Sequence, residues 1–164
     1  MVKLDLLYDG RDGEPSATFR PATTPPGYTT PKGTTGHFLA SPGEPSSRFS
    51  LYRWDMSAAS GGPGRHFHRT YDETFIVVHG TVRLFDGLTW HNAGPGAMLH
   101  VPAGGIHAFT NDSGEAASML MLLTPAVDRG AYFAELARAA TAEVALTSAE
   151  WDEMMSRHDN VMLE

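Results

Sequence analysis

The sequence predicts an all-β fold, a double-sheet antiparallel jelly-roll barrel followed by C-terminal helices. Three observations predict it. Short runs rich in β-branched, aromatic and aliphatic residues recur at regular spacing between Thr34 and Thr124. Gly and Pro turn residues separate nearly all of them, which argues for hairpins rather than a parallel sheet with crossover helices. After Pro125 the pattern changes to alanine-rich segments at helical spacing.

Taken in order, residues 1–33 read as an N-terminal arm, 34–124 as the barrel and 125–164 as a helical extension. The stretch from Asp9 to Pro31 is crowded with Gly, Pro, Ser and Thr, and Ala17-Thr18-Phe19-Arg20 is its only strand-like fragment. It is expected to lie across the barrel or a partner subunit. Strands are expected at Thr34 to Leu39, Arg48 to Met56, Arg65 to Arg69, Glu73 to His79, Thr81 to Phe85, Leu88 to His91, Ala97 to Val101, His107 to Asn111 and Ala117 to Thr124. Phe85-Asp86-Gly87-Leu88 reads as a hairpin, because Asp-Gly suits the two positive-φ positions of a tight turn. Ala131 to Ala140 reads as a helix with Tyr132 and Leu136 on one face. A second helix begins at the capping box of Thr147 and Glu150, and its stripe of Trp151, Met154, Met155 and His158 is expected to pack on the barrel.

At 164 residues the chain is the size of one domain, large enough to bury a core unaided. It has no cysteine, so disulfides and thiolate metal sites are excluded and any metal must be held by nitrogen and oxygen. A reducing cytoplasm is the simplest compartment. The net charge of −7, with 12 scattered Lys and Arg, offers no basic stripe for nucleic acid. The longest apolar run, Met119 to Leu123, is too short to cross a membrane, and the start, Met1 to Leu7, lacks a secretory core. Gly61-Gly62-Pro63-Gly64 precedes a strand, without the helix or lysine of a phosphate-binding loop.

The chemistry concentrates in two segments. His66 and His68 are two residues apart, so on a strand both imidazoles leave one face and can meet one ion. Glu73 opens the next strand and can return as a carboxylate ligand. Gly96 to Asn111 contains an apolar strand, a Pro-Ala-Gly-Gly turn and a further strand led by His107, the third nitrogen donor. By strand parity Phe75 and Val77 share the face of Glu73, and Phe109 shares that of His107, forming a partly aromatic substrate pocket. Tyr52 and Trp54 face opposite to Arg53, with the inward side left open.

These segments resemble the two signature motifs of the cupin superfamily. His66, His68, Glu73 and Gly80 fall in register with the first motif, whose leading glycine is replaced by Ser60, with Gly61 and Gly62 just after it. Gly96, Pro102, Gly104, His107 and Asn111 match the second throughout. The resemblance implies a single cupin double-stranded β-helix holding one divalent transition metal (Mn, Fe, Ni, Co, Cu or Zn) through His66, His68, Glu73 and His107. The alternative, a relict site of buried polar groups, is less favoured. Gly80, Gly96, Pro102 and Gly104 read as turn formers and Asn111 as a structural hydrogen-bonding residue. His79 and His100 are at most partners of the ligands, and His37, His91 and His158 carry no assigned role.

Within that superfamily the chain is most similar to small quercetin 2,3-dioxygenase-like proteins, through Gly80 to Gly87, Pro102 to Phe109 and the closing Arg157-His158-Asp159-Asn160. The resemblance implies a dioxygenase acting on an enolic or phenolic small molecule, with dioxygen as co-substrate and Glu73 as the catalytic proton acceptor. A non-redox cyclase, isomerase or lyase of natural-product metabolism keeps the same metal, and a non-catalytic ligand-binding cupin is a third reading. Family habit implies a homodimer.

Overall fold

In the computed structural model, the described residues are 7–42, 48–58, 60–141 and 145–163. The first six residues of the predicted arm, residues 43–47 and 59 of the predicted barrel, and residues 142–144 and 164 of the helical extension lie outside them.

The strands, in chain order, are β1 (Tyr28–Thr29), β2 (Thr35–Ala40), β3 (Ser50–Met56), β4 (His66–Phe67), β5 (Asp72–His79), β6 (Val82–Phe85), β7 (Trp90–Ala93), β8 (Met98–Val101), β9 (Ala108–Thr110) and β10 (Ala117–Thr124). Helices α1 (Gly130–Thr141) and α2 (Ser148–Arg157) follow, and β11 (Val161–Met162) closes the chain. One antiparallel sheet runs β1-β2-β3-β10-β5-β8 and faces a smaller one, β7-β6-β9. Bridges His66↔His107 and Gly61↔Asn111 flank β9 and continue the smaller sheet toward β4, which pairs with β11. The fold is the expected antiparallel jelly roll with two C-terminal helices.

Alternation sets the core. Along β3, Tyr52, Trp54 and Met56 are buried while Arg53 and Asp55 face out, so the open question of facing resolves with the aromatic pair inside. Register then places Phe75 beside Met121, and Val77 beside Met119. Phe133 of α1, rather than Tyr132, is the buried anchor of its helix, stacking on Tyr28 and Trp54 at centroid distances of 5.0 and 5.3 Å. On α2, Met154 and Met155 are buried, whereas Trp151 lies outside the stripe's contact and is exposed. The capping box forms as expected, with Thr147 and Glu150 exchanging hydrogen bonds.

Three local expectations are corrected. Ala17 to Arg20 forms no strand, and Phe19 is exposed. The hairpin after β6 is a four-residue loop, since Phe85 pairs with Trp90. Gly87 alone takes positive φ in it, and Asp86 instead accepts the N–H groups of Leu88 and Thr89 through Oδ1. The following strand therefore starts at Trp90, leaving Leu88 in the turn. Finally, β1 and β11 extend β structure into the segments read as arm and helical extension.

Candidate metal centre

His66, His68, Glu73 and His107 converge inside the barrel, all buried, with ligand atoms within 4.8 Å of one another. Different elements deliver them: β4 and its continuation carry the His66 and His68 pair, β5 carries Glu73, and the residue before β9 carries His107. The His66 and His107 rings lie 4.3 Å apart, brought together by the backbone bridge between the same two residues.

Hydrogen bonding fixes which nitrogen of each ring faces the centre. Nδ1–H of His66 donates to the carbonyl of Gly64 at 2.8 Å, that of His107 to Gly105 at 3.0 Å, and that of His68 to Asp159 at 2.6 Å. Carbonyl oxygens only accept, so each Nδ1 carries the proton and each neutral ring turns a bare Nε2 inward. Oε2 of Glu73 lies 3.1 Å from Nε2 of His68 and 3.0 Å from Nε2 of His107. Lone pairs facing a carboxylate at that distance repel unless positive charge sits among them. A divalent cation supplies that charge, and these nitrogen and oxygen donors suit a transition metal.

The electrostatics agree. Burial, reinforced by His107, pushes the His66 imidazole down to about 4, which keeps it neutral and able to ligate. Burial alone would raise the Glu73 carboxyl, but hydrogen bonding and positive charge on the side of His107 and His68 outweigh that and hold it well below the ordinary range, the same polarity that a cation between them supplies. The centre thus combines neutral imidazole with carboxylate. Such a set leaves one or two positions open on a five- or six-coordinate ion.

Around the ligands, Phe75 and Val77 are fully buried and Phe109 nearly so, with the Phe75 ring 5.7 Å from His107 and 5.6 Å from Phe109. Parity therefore directs these side chains inward, where they pack as core beneath His107. His79 and His100, expected at most as partners of the ligands, touch none of them. Both are exposed: His100 pairs with Thr74 on the face opposite Glu73 and bonds it there, whereas His79 shares the parity of Glu73 but sits at the end of β5, where the register against Ser118 and Met119 shifts. Gly80, Gly96 and Gly104 take positive φ in turns, and buried Asn111 donates to the carbonyls of Ser57 and Glu115. Where Ser60 replaces the leading glycine, Gly61 takes the positive φ instead.

Sequence reasoning missed three contributors. Tyr71 is buried, stacks on His68 at 4.3 Å and sets its hydroxyl 2.8 Å from Nδ1 of that ring. Burial pushes its hydroxyl pKa upward, so it is a neutral phenol. Asp159 supplies the carbonyl for His68, and buried Arg129 holds the chain on either side of Asp159. The only sequence signal was the closing Arg157-His158-Asp159-Asn160 run; Arg129 had none.

Residues 53–123 match the family profile described as "Cupin domain". A search of curated proteins returned no significant match. Among solved structures, 454 chains match. Ectoine synthase from P. lautus aligns with a TM-score of 0.55 at 16% identity, covering 67% of this chain and 76% of that one. KdgF from Halomonas sp. aligns at 0.51 and 16%, covering 58% and 81%. A sugar phosphate isomerase of the cupin superfamily from Silicibacter pomeroyi DSS-3 aligns at 0.50 and 26%, covering 56% and 59%. Residues 53–123 are thus similar to a cupin domain, and the barrel they form is built around a candidate metal centre. Among the described residues, no helix is long and apolar enough to cross a membrane.

Proposed function

We propose that this chain is a metal-dependent cupin enzyme acting on an enolic or phenolic small molecule, and that its reaction is a dioxygenation. The observation that carries the metal reading is the convergence of three bare imidazole nitrogens on one anionic carboxylate. Support for the dioxygenation comes from the similarity of the motif segments to quercetinase-like proteins. When bound, a divalent ion supplies Lewis acidity that lowers the pKa of a hydroxyl group beside it. His66, His68 and His107 hold their rings in one tautomer through their carbonyl acceptors. Glu73, kept anionic, takes the proton of the substrate hydroxyl. Phe75 and Phe109 exclude water beneath the centre, which strengthens every charge interaction there. Protein loaded with Mn, Fe, Co or Ni consumes dioxygen with a flavonol or related enol, and both oxygen atoms enter the products. No uptake across these metals and a substrate panel overturns the dioxygenation.

The 26% identity to a sugar phosphate isomerase favours a second, non-redox reading. In it Glu73 accepts a proton from a substrate carbon beside a carbonyl and returns it elsewhere on the same molecule. Product formation in strictly anaerobic buffer selects this reading over the first.

A further inference from the structure

Two of the three imidazoles take their orienting acceptor from the residues just before them in the chain. His66 and His107 each donate Nδ1–H to the carbonyl two residues before them, Gly64 and Gly105. His68 is different, because its acceptor is the carbonyl of Asp159, 91 residues away and just beyond α2. Its orientation therefore depends on where the end of the chain docks.

Asp159 is held from three directions. Its φ of 55° is the only positive value at a non-glycine position among the described residues, and Asp tolerates that conformation better than most. Its carboxylate accepts the backbone N–H groups of Arg69 and Thr70 at 2.9 Å and the Thr70 hydroxyl at 2.7 Å. These donors directly follow His68. On either side, the Arg129 guanidinium donates to the carbonyl of His158 at 2.9 Å and to Oδ1 of Asn160 at 3.1 Å. Arg129 is itself buried, packed 3.9 Å over the Tyr132 ring. Beyond Asp159, β11 pairs with the strand that bears His66, matching Val161 to Phe67 and Met162 to His66.

We propose that Asp159 is a positioning residue for the metal centre and that docking of the C-terminal segment sets metal affinity through His68. The inference rests on the metal reading above and does not depend on which reaction the centre performs. A carboxylate hook on Arg69 and Thr70 and a carbonyl on the His68 ring act from one residue. They set both the backbone and the ring plane of a single ligand. Loss of such an outer partner typically weakens metal binding by roughly 10–100-fold.

The test is titration of the metal-free full chain with Co(II), read by visible absorption, alongside thermal unfolding of the metal-free form. Asp159→Gly keeps the positive φ accessible while removing the hook. It is expected to bind Co(II) at least tenfold more weakly, with a changed ligand-field spectrum. Arg129→Met is expected to shift both readouts in the same direction. Glu153→Ala, which removes only an exposed ion pair of α2 with Arg157, is expected to keep Co(II) affinity within twofold. If Asp159→Gly fails to fold, Thr70→Val removes one donor to the hook and is expected to weaken binding measurably. A folded Asp159→Gly, or in its place Thr70→Val, with unchanged affinity and spectrum overturns the inference. A wild-type chain that binds no Co(II) overturns it together with the metal reading. Wild-type binding that Asp159→Gly weakens, without turnover of any substrate, supports the inference while the catalytic reading fails.

Discussion

Nε2 of His107 lies 3.0 Å from Oε2 of Glu73, a contact between residues 34 positions apart on different sheets of the barrel. It sets the bare nitrogen of a neutral ring against an anion in a buried space, so charge at Glu73 is the variable to change. Glu73→Gln preserves shape and removes the charge. Metal affinity by calorimetry is expected to fall by roughly 10–100-fold. Turnover at saturating metal is expected to fall by roughly 10²–10⁴-fold, since the proton acceptor is gone. Undiminished turnover at saturating metal would show that Glu73 carries no proton.

Metal removal is expected to destabilise the fold. A ligand that binds only the native state contributes about 2.7 kcal/mol at a hundredfold excess over its Kd. For a chain of this size, that corresponds to a rise in Tm of roughly 5–11 °C. Thermal unfolding with a chelator, then with graded Mn, Fe, Co, Ni or Zn, reads the shift and ranks the metals. A Tm indifferent to all of them contradicts a metal centre.

The four ligands were legible because each lies in a locally patterned run: parity put His66 and His68 on one side, and Glu73 and His107 each lead a strand. What escaped were contacts made across the chain. Nothing near Arg129 in the sequence says that it braces the residues on either side of Asp159 behind His68, since that contact depends on how α2 ends. β1 and β11 are two residues each, too short for any periodicity to show. Phe133 was overlooked beside Tyr132 because the alanine-rich helix offers several apolar arcs, and only the aromatic surface of Tyr28 and Trp54 selects one. The Asp86-Gly87 turn was misjudged for a similar reason, as the aspartate side chain bonds the loop that its backbone was expected to form.

Gly62 is expected to be nearly irreplaceable. A Cβ there would stand 1.8 Å from the carbonyl oxygen of Phe109, which is backbone and cannot rotate away. The neighbouring Gly61 bridges Asn111, so relief must spread the two segments that flank β9 and with it the strand following His107. Gly62→Ala should cost about 1–3 kcal/mol in chemical denaturation, the scale of overpacking in a tight site. Gly94→Ala, with open space where its Cβ would stand, serves as the control and is expected to change little. Equal stability of the two variants contradicts the close approach.

His66 gives the metal-free protein a defined sensitivity to acid. Its pKa is about 4 when folded, against 6.5 for the free side chain, because burial disfavours the charged ring. Between those values the unfolded chain binds more protons at this site than the native one. Stability from this residue is therefore fully present above pH 6.5 and is lost as pH falls toward 4, on the order of 3 kcal/mol in total. Glu73 acts in the same sense at lower pH, since a depressed carboxylate pKa stabilises the fold only while the group is ionised. Urea midpoints of metal-free protein between pH 4 and 7 should fall steadily on acidification. His66→Gln, which cannot titrate, should flatten that slope. Because a proton and a metal compete for the same Nε2, saturating metal should also displace the transition to lower pH. Midpoints that stay level from pH 7 to pH 4.5 in the wild type would mean that His66 is not held neutral by burial.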